Sequence, residues 1–461
     1  MPIIASYIVP HPPLIIPEVG KGAESSVQLT VNAYDKAMKE VADLKPDVII
    51  LTSPHAPAYA DYFQISGGEW GKATFDKFGA PEVEVGADYD VHFIKTLTRI
   101  CREADFPAGV LGGEGQTLDH GTMVPLYYLQ RYTKDIPIVR IGLSALSPLE
   151  HYRLGMYIKD AVDHLNRNAV FIASGDLSHK LTPDGPYGFD PDGPRFDKVI
   201  MELLEEAKFD KLLEFDPGLA KRAAECGLKS FQILAGALDR TAVKAKKCSY
   251  QGVTGVGYGI VSFKSPRENE RRNFAEKLIA KRKASIDAAR AAEDPYVHLA
   301  RMAIENYLST GEYILPGEGL PDEIRANRAG VFVSIKKEGD LRGCIGTFHP
   351  TQDNIGGEII ANAVAAAIED PRFPPVKKSE LDDLLYSVDV LSEPEMASGI
   401  DDLDPKIYGV IVEARNRRGL LLPDLEGIAD AEEQVRIARQ KGGIAPDEEI
   451  RLWRFTVERH R

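Results

Sequence analysis

Cysteine is scarce in this chain: there are four in 461 residues, Cys101, Cys226, Cys248 and Cys344, and no two of them stand at CxxC or zinc-finger spacing. That excludes a disulfide framework and a structural zinc site of ordinary pattern, and it suits reduced thiols in a cytoplasm. Long apolar runs are missing too. None approaches the length of a membrane span, and the first residues lack a basic-then-apolar leader pattern, so a cytoplasmic protein with no membrane partner is expected. Positive charge is in deficit. With 56 Lys and Arg against 70 Asp and Glu the formal charge is -14, which argues against a general nucleic-acid binder, because phosphate contacts need basic patches. Internal repeats and low-complexity tracts are absent.

What is present is an ordinary globular composition in a chain too long for one core, so two domains are expected. The stretch SPRENERRNFAEKLIAKRKASIDAARAAEDP, dense in charge and alanine, reads as an exposed helix between them that ends at Pro295. The division is therefore residues 1–264, a charged helical linker over 265–292, and residues 293–461. Before the linker, the apolar runs PIIASYIV, PDVIILTS, IPIVRIGL and NAVFIASG alternate with helical stretches such as SVQLTVNAYDKAMKEVADL and PLEHYRLGMYIKDAVDHL. Unbroken apolar strands expect cover on both faces, which implies an α/β sandwich with a mostly parallel sheet. After the linker the pattern is α+β. Val297, Ala300, Ile304 and Tyr307 share one helical face, and Val331, Val333 and Ile335 alternate inward along a strand.

Three of the first domain's strands run into a histidine. PIIASYIVPHP reaches His11, PDVIILTSPHAP reaches His55, and NAVFIASGDLSH reaches His179. In open α/β sheets ligands bind beyond the carboxyl ends of the strands, so three imidazoles delivered to that edge point to one shared site. Two neutral imidazoles and a carboxylate would make the facial arrangement that holds ferrous iron and leaves neighbouring positions open. Asp176, three residues before His179, either orients that ring or caps a turn. His92, His151 and His164 fall within helical patterns and read as structural. GVLGGEGQ and GVTGVGYG are glycine-rich, but neither opens a helix in a strand-turn-helix unit, so nucleotide binding is not expected.

Over residues 1 to 263 the pieces VPHPPL, SPHAP, TLDHGTMVPL, SGDLSH and AAECGLKSF, in that order, resemble the class III extradiol dioxygenases. This is the LigB-like superfamily, which also includes the Memo-like proteins. The resemblance implies that His11, His55 and Glu225 bind Fe(II), that His179 is the acid/base residue, and that His120 lines the pocket of a small aromatic diol that reacts with O2. A neutral histidine suits that proton traffic because its pKa lies near working pH. Memo-like relatives carry Cys-Gly at this place, and Cys226-Gly227 fits that pattern as well. A Cys226 thiolate would favour zinc or copper over iron.

In the second domain LRGCIGTF places Arg342 and Cys344 between glycines, where a thiol beside an arginine has the makings of a nucleophile, although no histidine pairs with it by sequence. His349 follows five residues later. Through LRGCIGTF, DPRFPPV, YGVIVEARNRRGLLLPDLEG, EEQVRIARQKGGI and FTVERH, residues 293 to 461 resemble the AMMECR-type domain, a family without a settled activity. Memo-like, AMMECR-type and radical-SAM proteins occur as a gene set in prokaryotes, so the fusion implies a radical-SAM partner protein. The resulting expectation is an Fe(II)-dependent extradiol oxidoreductase with an AMMECR-type accessory domain. Its rivals are a metal-binding scaffold serving the radical-SAM partner and a zinc hydrolase using the same pocket.

Overall fold

A computed structural model describes residues 3–112, 117–425 and 427–461. The chain divides into two units, Met1–Ile279 and Ala280–Arg461.

In the first unit the elements that carry the sheet run β1 (Ile3–Val9), α1 (Gln28–Asp43), β2 (Val48–Ser53), α2 (His120–Leu129), β3 (Ile138–Gly142), α3 (Pro148–Leu165) and β4 (Ala169–Ser174). They continue through α4 (Asp192–Glu205), α5 (Pro217–Ala223), α6 (Leu228–Ala237), β5 (Thr241–Gln251) and β6 (Tyr258–Glu268). The sheet order is β3-β2-β4-β1-β6-β5. Its first four strands are parallel, and β6 and β5 close it as an antiparallel ribbon. Residues of β2, β3 and β4 are buried throughout, as strands covered on both faces must be. α1 and α2 pack on one another, α2 against β2 and β4, while α3 pairs with α6 and α6 lies against β4 and β1. Local chemistry sets the helix starts. Ser147 and Glu150 form a reciprocal capping box before Pro148 at the head of α3, and the Asp119 side chain accepts from the Thr122 amide to begin α2.

The sheet outlasts its expected end. β6 pairs through Arg267 and Glu268 with Ala242 and Thr241, so the first residues assigned to the linker belong to a strand. The charged helix α7 (Phe274–Ala291) follows, with Ala275 and Leu278 buried in the first unit's core. Pro295 does not terminate that helix. It opens α8 (Pro295–Thr310), where its missing N–H costs nothing, and Asp294 caps the helix by accepting from the amides of Tyr296 and Val297.

The second unit is α+β, as its sequence pattern implies. Strands β7 (Val331–Lys337), β8 (Asp340–Gly346) and β9 (Leu384–Leu391) are followed by β10 (Glu395–Met396), β11 (Gly409–Ala414), β12 (Arg417–Leu421), β13 (Arg451–Phe455) and β14 (Val457–His460). They form two antiparallel sheets, β8-β7-β9-β14 and β10-β13-β11-β12. α8 and α9 (Ile355–Ile368) cover the first over Val331, Val333 and Ile335, and α10 (Ala431–Lys441) covers the second. Among the described residues no helix is long and apolar enough to cross a membrane.

Candidate metal centre

Strands β2, β4 and β1 are parallel neighbours, so their carboxyl ends open on one edge of the sheet. His11 and His55 leave from the two flanking strands, and Asp176 and His179 leave from the strand between them. Topology thus assembles what sequence separates. The Nε2 atoms of His11 and His55 lie 3.0 Å apart. His11 is buried, with its Nδ1 3.0 Å from Ser174 Oγ, while its backbone N–H donates to Asp176 Oδ1 at 2.8 Å. Asp176 therefore holds the His11 backbone, and among the described residues it makes no hydrogen bond to the His179 ring.

The third donor comes from the turn between α5 and α6. Ala224 adopts a left-handed conformation (φ 52°) that ends α5 and throws successive side chains in different directions. Cys226 Sγ reaches 3.7 Å from His11 Nε2 and accepts the Asp176 N–H at 3.3 Å. Close approach of two glycines makes this possible: a Cβ on Gly175 would stand 2.2 Å from the Gly227 Cα. Glu225 faces away. Its Oε2 accepts from the Leu228 amide at 2.6 Å, and burial pushes its carboxyl up to about 7. The convergent set is thus His11, His55 and Cys226, with Glu225 satisfied by the amides that open α6. Glu225, the carboxylate that the dioxygenase pattern implies as a ligand, is not among the donors that converge here.

The two imidazole nitrogens are spaced as ligands of a single ion are, with the sulfur close to that spacing. Two imidazole nitrogens on one metal at about 2.0–2.1 Å, with angles between square and tetrahedral, lie about 2.9–3.4 Å apart, and a thiolate sulfur and an imidazole nitrogen about 3.1–3.6 Å apart. The nitrogen pair falls within its range and the sulfur lies just outside. Burial, and then the neighbouring His55, depress the His11 imidazole to about 3. The His55 ring, at the exposed rim of the site, is lowered by the same loss of hydration. Both rings therefore stay neutral with lone pairs available. The Cys226 thiol is raised by burial and by Asp176, so that a bound cation is what would make it a thiolate.

His179 and His120 flank this set. His179 Nδ1 donates to the carbonyl of Ala224, and because a carbonyl only accepts, that hydrogen bond selects the tautomer with the proton on Nδ1 and the lone pair on Nε2. Donor atoms of Asp176, His179 and Cys226 lie within 4.8 Å of one another. The His120 ring packs 4.0 Å from that of His55 and 5.3 Å from that of His11, with Phe78 behind it at 5.4 Å. Burial, with His55 and His11 beside it, depresses its imidazole to about 3.

Beneath these rings lies a network that the sequence reading passed over. Asp119 accepts from Ser53 Oγ at 2.5 Å and from Thr122, and it pairs with Arg140 at 2.7 Å. Ser53 Oγ in turn accepts the His55 N–H at 3.2 Å. One carboxylate thereby ties the His55 loop, the His120 helix and strand β3 together. The available signal was Arg140 itself, a charge in the middle of the apolar run IPIVRIGL. His151 is buried, donating from Nδ1 to the Ser147 carbonyl (2.9 Å) and set edge-on to Phe63, which agrees with a structural role. His92 and His164 lie in helices, as their patterns imply. Part of GVLGGEGQ, residues 113–116, lies outside the described residues. In the second unit Arg342 is bound to Glu380 at 2.9 Å and not to the thiol of Cys344, which takes a hydrogen bond from Ser334 Oγ at 3.2 Å. His349 lies against Phe348 and Arg418, and among the described residues it makes no hydrogen bond to Cys344.

Residues 5–261 match the family described as the catalytic LigB subunit of aromatic ring-opening dioxygenase, and residues 297–460 match the AMMECR1 family. A protein of Clostridium acetobutylicum is 40% identical over 467 residues, spanning 99% of this chain and 98% of that one. A Thermotoga maritima protein is 54% identical over 171 residues, covering 37% of this chain and 98% of its own length. The crystal structure of an uncharacterized protein from Pyrococcus horikoshii shares 37% identity over 36% of this chain and 88% of that one, with a TM-score of 0.34. The chain belongs to the LigB family, as a Memo-like fusion of a LigB-type domain to a C-terminal AMMECR1 domain.

Proposed function

We propose that the first domain is a metal-dependent oxidoreductase acting on a small aromatic diol, with the metal on His11 Nε2, His55 Nε2 and Cys226 Sγ. The observation that carries the reading is the convergence of those three donors beyond the carboxyl ends of parallel strands. Ferrous iron, when bound there, supplies the redox chemistry between a diol and O2. The protein's own groups do the rest. His11 and His55 arrive neutral, so no ligand imidazole must lose a proton. His179 accepts the diol proton at Nε2 while its Nδ1–H stays on the Ala224 carbonyl, which keeps the ring oriented as the proton comes and goes. His120 and Phe78 form an aromatic wall beside His55.

The thiol of Cys226 favours a second reading. A sulfur donor suits zinc or copper, and a centre of that kind would make the domain a metal-binding scaffold or hydrolase working beside a radical-SAM partner. One experiment separates the two. Protein loaded with ferrous iron, zinc or copper under argon is assayed for bound metal, then given a panel of catechols while oxygen is followed at an electrode. Oxygen uptake that needs both iron and a diol supports the oxidoreductase. Tight zinc or copper binding with no oxygen uptake by any form supports the scaffold.

A further inference from the structure

His179 has one neighbour that the proton chemistry does not use. The ring of Tyr187 stands edge-on to it, with centroids 5.1 Å apart and planes at 74°, and yet Tyr187 is 61% exposed. A single exposed aromatic is unremarkable on a protein surface, but this one is held in place. The segment after β4 follows Gly255–Gly257 through a short irregular ladder: Leu177 N–H to the Gly257 carbonyl, Gly257 N–H to that of Ser178, and Leu181 N–H to that of Gly255. The chain then turns back, so that Phe189 bridges Leu181 and the Asp190 N–H reaches the Lys180 carbonyl. At the fold-back, Gly185 and Gly255 touch backbone to backbone, since a Cβ on either would fall within 3.0 Å of the other's Cα. The loop's anchoring thus holds a ring that buries little of itself against His179, whose Nδ1 is engaged by the Ala224 carbonyl.

We infer that Tyr187 is a substrate-contacting residue that packs against the planar ring of a bound ligand, so that the site selects aromatic chelators over aliphatic ones of equal charge and denticity. This rests on the diol reading above and adds the specificity element to it. The acceptor face is formed by Tyr187 on the His179 side and by His120 with Phe78 on the His55 side. A flat ligand would gain edge or face contact with an aromatic group, while a non-aromatic chelator would meet only the metal ligands.

The test uses the full chain loaded anaerobically with ferrous iron, with 4-nitrocatechol and oxalate as probes, each titrated by its spectral change. Y187A should keep its iron, bind oxalate as the unsubstituted protein does, and bind 4-nitrocatechol about 3- to 10-fold more weakly, the size of one aromatic pair. Y187F, which keeps the ring, should restore 4-nitrocatechol binding. Equal affinity for 4-nitrocatechol in Y187A and the parent protein overturns the inference while leaving the diol reading intact. Equal weakening for both probes, or loss of iron, also overturns it, because the tyrosine would then be a structural support. A parent protein that binds iron and oxalate but no catechol contradicts the diol reading itself, and the role of Tyr187 falls with it.

Discussion

Neighbouring residues in this site do unlike work because a single backbone turn separates them. Glu225 and Cys226 are adjacent, but the left-handed Ala224 before them sends the carboxyl to the amides of α6 and the thiol to the histidines. C226S should therefore strip most of the metal bound by the parent protein, and E225Q should keep it, since its amide oxygen can still accept from Leu228. Metal-to-protein ratios after dialysis decide this, and full metal in C226S would refute the donor set. H179A should retain metal and lose turnover by on the order of 10²- to 10⁴-fold, the usual share of one proton-transfer group. An apo H179A would make His179 a ligand instead. Asp197 offers a pH test on a carboxyl outside the convergent donor set. Its buried carboxyl accepts from the Ser178 amide at 2.7 Å and from Tyr250 Oη at 2.8 Å, and burial pushes it up to about 7 from an ordinary value of 3.8. In the folded protein it stays protonated where the unfolded chain has already ionised. Its contribution to stability therefore falls as pH rises from about 4 to about 7 and is flat above that. D197N, nearly isosteric and unable to ionise, should remove this part of the slope, so the melting temperature of the parent minus that of the variant should fall across that interval. Parallel melting curves at every pH would show that Asp197 is ionised in the fold.

At the scale of elements, the site is held by ties between secondary structures more than by any one of them. Asp119 caps α2, bonds Ser53 at the end of β2, and neutralises Arg140 of β3, whose side chain is 2% exposed. Removing it would break a buried ion pair at its carboxylate, a change that typically costs about 3–5 kcal/mol. D119A should lose stability of that order in denaturant titrations. It should also weaken metal binding, because the Ser53 that positions the His55 amide loses its partner. A loss below about 1 kcal/mol would mean that Arg140 relies on its other contacts, among them the Thr117 carbonyl.

At the scale of the whole molecule, the boundary between units is fixed by where buried side chains stop, and the charge of the linker does not reveal that point. α7 is charged along most of its length, but Ala275 and Leu278 are buried in the first unit's core, and β6 continues to Glu268. A chain cut after Pro266 should thus be less stable than one cut after Ala292, by about 3 kcal/mol for the buried leucine, the alanine and the strand end together. Urea midpoints of the two fragments measure this, and equal midpoints would place the boundary where the charge pattern alone put it.

Much of this protein can be read without coordinates because it depends on local chemistry. Apolar runs without alternation called for a parallel sheet covered on both faces, and strands ending in Pro-His and Asp-Leu-Ser-His marked the edge where the site lies. The capping residues Ser147 and Asp294 sit where sequence rules place them. Pro295 shows the limit of such rules, since a proline can close one helix or open the next, and only the Asp294 side chain reaching the following amides decides which. The choice between Glu225 and Cys226 depended on the direction of side chains after a left-handed residue and on two glycines in contact, Gly175 and Gly227, which are 52 positions apart. The same holds for Tyr187 over His179 and for Asp119 beneath His55. Each depends on strand order and loop closure, distances between residues remote in sequence that no run of neighbouring letters encodes.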